Sequence, residues 1–156
     1  MPISYIYHIR AAGSLVFLLL SSVLFAQDNW SIIPSFPGNA KTSFAGLQDS
    51  ILFVGTGNGV WRTGDAGFTW KRLLKSNTIY SVYASTSGKV LAGGEGKIFY
   101  SSNKGLDWDS VTVATNFPIS KITETSSGEF FFITGASTTD GYAGDGIFYN
   151  NGDLLN

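Results

Sequence analysis

The residues best able to do chemistry fall in two places. Thr63, Asp65, Gly67, Thr69 and Trp70 stand at a fixed spacing within TGDAGFTW (residues 63–70), a short carboxylate set in a turn between two extended runs. At such a spacing the aspartate can accept backbone N–H groups that have no ladder partner. The glycine two positions on can take positive φ without steric cost, and the tryptophan can bury a large apolar area under the turn. A second copy keeps Ser101, Gly105 and Trp108 but has Asn103 for the aspartate and Asp107 for the second threonine. Asparagine still caps a turn, so the same geometry with less rigidity is expected there. The other place is the glycine-rich stretch 134–146, TGASTTDGYAGDG, where Asp140, Tyr142 and Asp145 offer two carboxylates and an aromatic ring. Such a set could hold a sugar or a calcium ion, although the two aspartates fit no calcium-loop spacing. A solvated loop is the alternative.

Other chemistry is excluded by residue types. The only histidine, His8, and Arg10 precede an apolar run, residues 11–25, that ends at Ala26 and is followed by Gln27, Asp28 and Asn29. A basic start, a short apolar core and a small last residue have the form of a secretory signal peptide, residues 1–26. The run is short for a membrane span of about 20 residues. Leu24 is bulky for its place before the cleavage point, and an uncleaved anchor is the alternative. Removing 26 of the 156 residues leaves 130, with no histidine, no cysteine and a formal net charge that moves from −1 to −2 with the loss of Arg10. Without His or Cys there is no Ser-His or Cys-His nucleophile, no Cys/His zinc site and no disulfide framework. Seven lysines and two arginines, Arg62 and Arg72, are scattered through the remainder. They form no basic patch of the kind nucleic-acid binding needs. No cofactor is implied. The expected location is secreted, periplasmic or cell-surface.

The elements that must position these residues come from an internal repeat. Trp30, Trp70 and Trp108 lie 40 and 38 residues apart, and residues 51–70 match residues 89–108 at an offset of 38 with no gap. A third copy starts at an offset of 40, with Ser127-Gly128-Glu129-Phe130-Phe131 over Ser87-Gly88-Lys89-Val90-Leu91. The offset becomes 49 at Ile147-Phe148-Tyr149, so nine residues are inserted within 134–146. Each copy reads as four short strands, A to D, with β-branched and aromatic runs separated by Gly, Ser and Asn turns. In the second copy these are expected at 80–85, 89–92, 97–101 and 107–113. A composition of 15% aromatic and 13% charged residues with 19 glycines suits packed β-structure with tight turns. A period near 40 with four strands per repeat is the signature of a β-propeller. The blades are expected at 42–74, 79–113 and 119–156.

The 63–70 segment resembles the Asp-box of the bacterial neuraminidase (BNR) repeat family, S/T-x-D-x-G-x-T-W, and the resemblance covers roughly residues 30–149. The chain is similar to exported bacterial proteins of that group, which includes sialidases, sortilin-type receptors and photosystem assembly factors. The resemblance implies that the Asp-box is a structural turn on the blade periphery, away from any active site. It implies a non-catalytic binding or scaffold module, with a protein or glycan as ligand. A sialidase-like glycoside hydrolase, or its relic, is the alternative. That activity would require an arginine triad and a tyrosine nucleophile, and two arginines cannot make a triad.

Trp30-Ser31-Ile32-Ile33-Pro34 lies over strand D of the first copy, so an orphan outer strand is expected before the first blade. The third copy stops in its C–D turn, at residues 150–153. Twelve strands result, in about three blades of an incomplete propeller. Three readings follow: a piece of a longer propeller, self-association through open blade edges, or an open stack. The loops of the D–A and B–C joins, on the face opposite the Asp-box turns, are the expected binding surface: residues 74–78, 114–118, 55–59, 93–96 and the insertion.

Overall fold

The computed structural model describes residues 32–33, 36–37 and 40–150. The expected signal helix, most of the orphan strand 30–34 and the end of the third copy lie outside the described residues. Ile32 and Ile33, which are described, are not in a strand. The chain divides into two compact units, Met1–Ile32 and Ile33–Asn156, and the second holds every strand discussed below.

The fold is all-β. Eleven strands are described, in three antiparallel sheets that follow the chain without crossovers, as consecutive propeller blades. The first blade is β1 (Ala40–Gly46), β2 (Leu52–Thr56), β3 (Gly59–Thr63) and β4 (Lys71–Lys75). The second is β5 (Ser81–Ala84), β6 (Val90–Gly93), β7 (Lys97–Ser101) and β8 (Asp109–Thr112). The third contains β9 (Ile119–Glu124), β10 (Phe130–Thr138) and β11 (Gly141–Asn150). The expected A to D strands of the second repeat thus fall within a residue or two of β5 to β8.

A sheet buried on one face alternates apolar and polar residues, whereas one buried on both faces does not. β6 is buried at every position. Its residues divide between two cores: Val90 and Ala92 join Phe53, Val60 and Ile79, while Leu91 joins Ile98, Ile119, Phe130 and Phe132. The second blade is therefore packed on both faces, and each blade has a leading face toward the preceding blade and a trailing face toward the next. Two glycines set the spacing. A Cβ on Gly55 would stand 2.9 Å from Ile79, and one on Gly93 would stand 2.7 Å from Ile119. The absence of a side chain lets the isoleucine that opens the next blade press against the backbone. A serine beside each glycine completes the join. Val82 N donates to Ser43 Oγ at 3.0 Å, and Ser81 Oγ donates to the Ile119 carbonyl at 2.7 Å.

The insertion in the third copy is an extension of the β10–β11 hairpin instead of a loop. Pairing continues from Phe130↔Asn150 to Thr138↔Gly141, with a bulge between Thr134 and Ala136. Among the described residues β11 is the last strand of its sheet, in the place that β3 and β7 occupy inside theirs.

Candidate functional site

The two C–D turns are built on one hydrogen-bond plan. In the first, Thr63 Oγ1 donates to Asp65 Oδ1 at 2.6 Å and accepts from Gly67 N at 3.0 Å. Asp65 Oδ1 accepts Thr69 N at 2.8 Å, and Asp65 Oδ2 accepts Thr69 Oγ1 at 2.6 Å. Trp70 Nε1 closes the turn on the Gly67 carbonyl at 3.0 Å. In the second, Gly105 N reaches Ser101 Oγ at 2.9 Å, Asp107 N reaches Asn103 Oδ1 at 2.9 Å, and Trp108 Nε1 reaches the Gly105 carbonyl at 2.9 Å. Gly67 and Gly105 both take positive φ, 98° and 79°. The residue before each does the same, Ala66 and Lys104 at 58°. Each of these donates its N–H to the A–B turn of its own blade, Ala66 to Ser50 and Lys104 to Gly88. The sequence pattern did not signal this second left-handed residue.

The hydroxyl of Thr63, then the hydroxyl and the N–H of Thr69, hold Asp65 down to about 2. Its carboxylate is an acceptor filled by the turn, with no proton to give at neutral pH. Glu124 and Glu129 each have partners of their own. Glu124 accepts from Tyr83 across the second and third blades at 3.1 Å. Glu129 accepts from Ser127 and Thr125, and those bonds lower its pKa. Tyr100, opposite Asp109 in the β7–β8 ladder, is raised by desolvation and then by that carboxylate. Among the described residues no three His, Cys, Asp or Glu side chains converge as a metal site.

The three residues of the insertion are placed separately. Asp145 accepts from Thr115 Oγ1 in the join between β8 and β9, while its N–H donates to Thr134 Oγ1 at 3.0 Å. Tyr142 lies over Gly135, with its hydroxyl 3.2 Å from Ser120 Oγ. Asp140 is exposed in the hairpin turn. The bulge at Gly135 turns the hairpin so that Asp145 and Tyr142 tie it to neighbouring strands.

A cavity of about 270 Å³ opens instead between the β4–β5 join and the β6–β7 join. Its wall includes Asn77, Tyr80, Glu95, Lys97 and Phe99. The β4–β5 join is turned into place by Ile79 N on the Thr56 carbonyl, and the β6–β7 join by Gly94 N on the Lys97 carbonyl, both at 2.9 Å. Lys97 Nζ stands 5.9 Å from the Phe99 ring centre. The site thus combines two aromatic rings, an amide, a carboxylate and an ammonium, on the loop face expected from the repeat. Volumes for drug-sized ligands start near 300 Å³, so this cavity suits a smaller polar molecule. Arg72 lies elsewhere, 5.8 Å over the Trp61 ring on the first blade, and Arg62 is beside it in the same sheet with its Nε buried.

No family model matches the chain, and no curated protein matches it. Among solved structures the chain is similar to "YCF48 bound to D1 peptide", at 14% identity and a TM-score of 0.45, over 60% of this chain and 33% of that one. The chain therefore spans about a third of the length of that protein.

Proposed function

We propose that the chain is a non-catalytic, exported propeller module of the BNR-repeat type that binds a small glycan through the cavity between its β4–β5 and β6–β7 joins. One observation carries this reading. The cavity at Asn77, Tyr80, Glu95, Lys97 and Phe99 is walled by the β4–β5 and β6–β7 joins, where aromatic faces stand beside donors and acceptors. Apolar sugar faces pack on aromatic rings while hydroxyls need paired polar groups, and this wall supplies both. The C–D turns support a structural role for the repeated spacing around Asp65, because both carboxylate oxygens there are already bonded within the turn. The reading takes the segment 1–26 as an export signal, and a peptide is the other ligand class the same wall would accept.

The test is a solid-phase screen of neutral and acidic oligosaccharides and of short peptides, with the wild-type chain and with Tyr80→Ala and Lys97→Ala. Saturable glycan binding that both substitutions weaken at least tenfold supports the reading. Peptide binding alone would change the ligand class. Binding unaffected by either substitution, or turnover of any glycoside, would sink it.

A further inference from the structure

Two departures from the repeat meet in space. One is the nine-residue insertion that lengthens the β10–β11 hairpin. The other lies in the β8–β9 join. Lys75 and Thr112 hold the same place in their blades, each paired with the first residue of the neighbouring strand, Gly59 or Lys97. Ile79 and Ile119 also correspond, since their N–H groups bond the Thr56 and Gly94 carbonyls. Four positions separate Lys75 from Ile79 and seven separate Thr112 from Ile119, so the second join is three residues longer. A longer join has more conformations to lose, and the lengthened hairpin supplies the bonds that hold it.

Thr115 is the point of contact. Its hydroxyl donates to Asp145 and accepts from Phe117 N at 3.1 Å. Asp145 is fixed in turn by its own N–H on Thr134 Oγ1 at 3.0 Å. The hairpin makes two further ties to this segment. Gly135 N donates to the Pro118 carbonyl at 2.9 Å, and the Tyr142 hydroxyl stands 3.2 Å from Ser120 Oγ. On its other side the same join grips the β6–β7 turn at both ends. Val113 N donates to the Gly96 carbonyl at 2.9 Å, and Ile119 N to the Gly94 carbonyl at 3.0 Å. Between them Glu95 is bridged to Pro118. Gly96 is left-handed, with φ 59°, and a Cβ there would stand 3.0 Å from the Thr115 carbonyl.

We infer that the hairpin extension is a strap and that Asp145 is a positioning residue for Glu95. Asp145 holds Thr115, the join holds both carbonyls that flank Glu95, and the turn then presents Glu95 to the cavity beside Lys97. The repeat shows where the strap acts. Ser120, Thr134 and Gly135 stand 40 residues after Tyr80, Gly94 and Glu95 of the cavity wall. The place between join and turn that is open in the second blade is tied shut in the third, and the tied elements form the support behind the open one. The functional sense of the strap rests on the reading of this cavity as the binding site, while the strap itself is a property of the free chain.

The test is amide hydrogen exchange by NMR on the full chain with no glycan added. Asp145→Ala should speed exchange at Val113 and Ile119 about tenfold, through loss of one charge-assisted bond, and should shift the Glu95 and Gly96 amide signals. Exchange at Ile79 and Tyr80, on the other wall of the cavity, should not change. Asp145→Asn keeps an oxygen that accepts from Thr115 and should restore the wild-type pattern. Thr115→Ala should act as Asp145→Ala does, and adding Asp145→Ala to it should have no further effect. Unchanged exchange at Val113 and Ile119 in Asp145→Ala would overturn the strap. So would equal acceleration at Val113, Ile119, Ile79 and Tyr80, which means a general loss of stability, or additive effects of the Thr115 and Asp145 substitutions, which mean separate routes. These outcomes are read without glycan and leave the binding screen to its own result. A failed screen beside the expected exchange pattern would remove the glycan reading and keep the strap.

Discussion

Asn103 Nδ2 donates to Asp107 Oδ2 at 2.8 Å, at the place where the first blade runs Thr69 Oγ1 into Asp65 Oδ2 at 2.6 Å. The two departures of the second repeat from the first are therefore one exchange. The acceptor has become a donor and the donor an acceptor, and the turn keeps the same number of bonds. Asn103→Asp alone would face two carboxylates at hydrogen-bond distance with no proton between them, a repulsive pair at neutral pH. It should lower the unfolding midpoint, and Asp107→Thr in the same chain should restore it. A thermodynamic cycle measures the coupling. Additive effects of the two substitutions would contradict the exchange.

The Asp65 turn also sets a pH dependence. The folded carboxylate titrates at about 2, against 3.8 for an ordinary aspartate. A depressed folded pKa means that the unfolded chain binds the proton first as pH falls. The contribution of Asp65 is fully present above about 3.8, falls between there and about 2, and is gone below that. Urea midpoints of wild type and Asp65→Asn should differ at pH 5 and converge as pH is lowered to 2. A difference that stays constant across that window would show that the carboxylate is not held by Thr63 and Thr69.

The blade joins depend on the missing side chain of Gly93. Alanine there would place a Cβ 2.5 Å from Ser81 Oγ and 2.7 Å from Ile119 Cγ2, with little slack in either. Overpacking of this kind costs about 1–3 kcal/mol. The matched control is Gly57→Ala, at an exposed turn with nothing within 4 Å, where chemical denaturation should detect a much smaller change. Equal effects at the two positions would mean that the blades are not this closely packed.

Phe53 and Phe44 lie on opposite faces of the first sheet, 0% and 78% exposed. Phe53→Ala should cost about 3–5 kcal/mol, as loss of a buried aromatic ring leaves a cavity. Phe44→Ala should fall within about 0.5 kcal/mol of wild type. Guanidinium unfolding of both decides the matter, and comparable losses would contradict the assignment of faces.

Much of this fold was legible in the sequence because a repeat states the same physics more than once. The positions of Trp70, Trp108, Gly67 and Gly105 mark the strand order and the turn plan. The strands of the second blade followed from alternating apolar runs. The insertion was harder to read. Its glycines suggest a loop, yet Thr134, Tyr142 and Asp145 find partners across the sheet and from the preceding join, and those long-range bonds extend a hairpin. The cavity was legible only as a loop face. That Asn77 and Tyr80 meet Glu95 and Lys97 depends on the path of the β4–β5 join, which Tyr80 N on the Gly93 carbonyl and Ile79 N on the Thr56 carbonyl hold in place. Those bonds join residues more than ten positions apart, and no local pattern reports them.

The most direct test of the binding reading is a two-dimensional amide NMR titration of the labelled chain with the tightest-binding oligosaccharide from the screen. The expected result is saturable shift changes concentrated at Asn77, Thr78, Tyr80, Gly94, Glu95 and Lys97, with the C–D turns around Asp65 and Asn103 unmoved. Changes confined to those turns or to residues 134–146, or none at millimolar ligand, would contradict it.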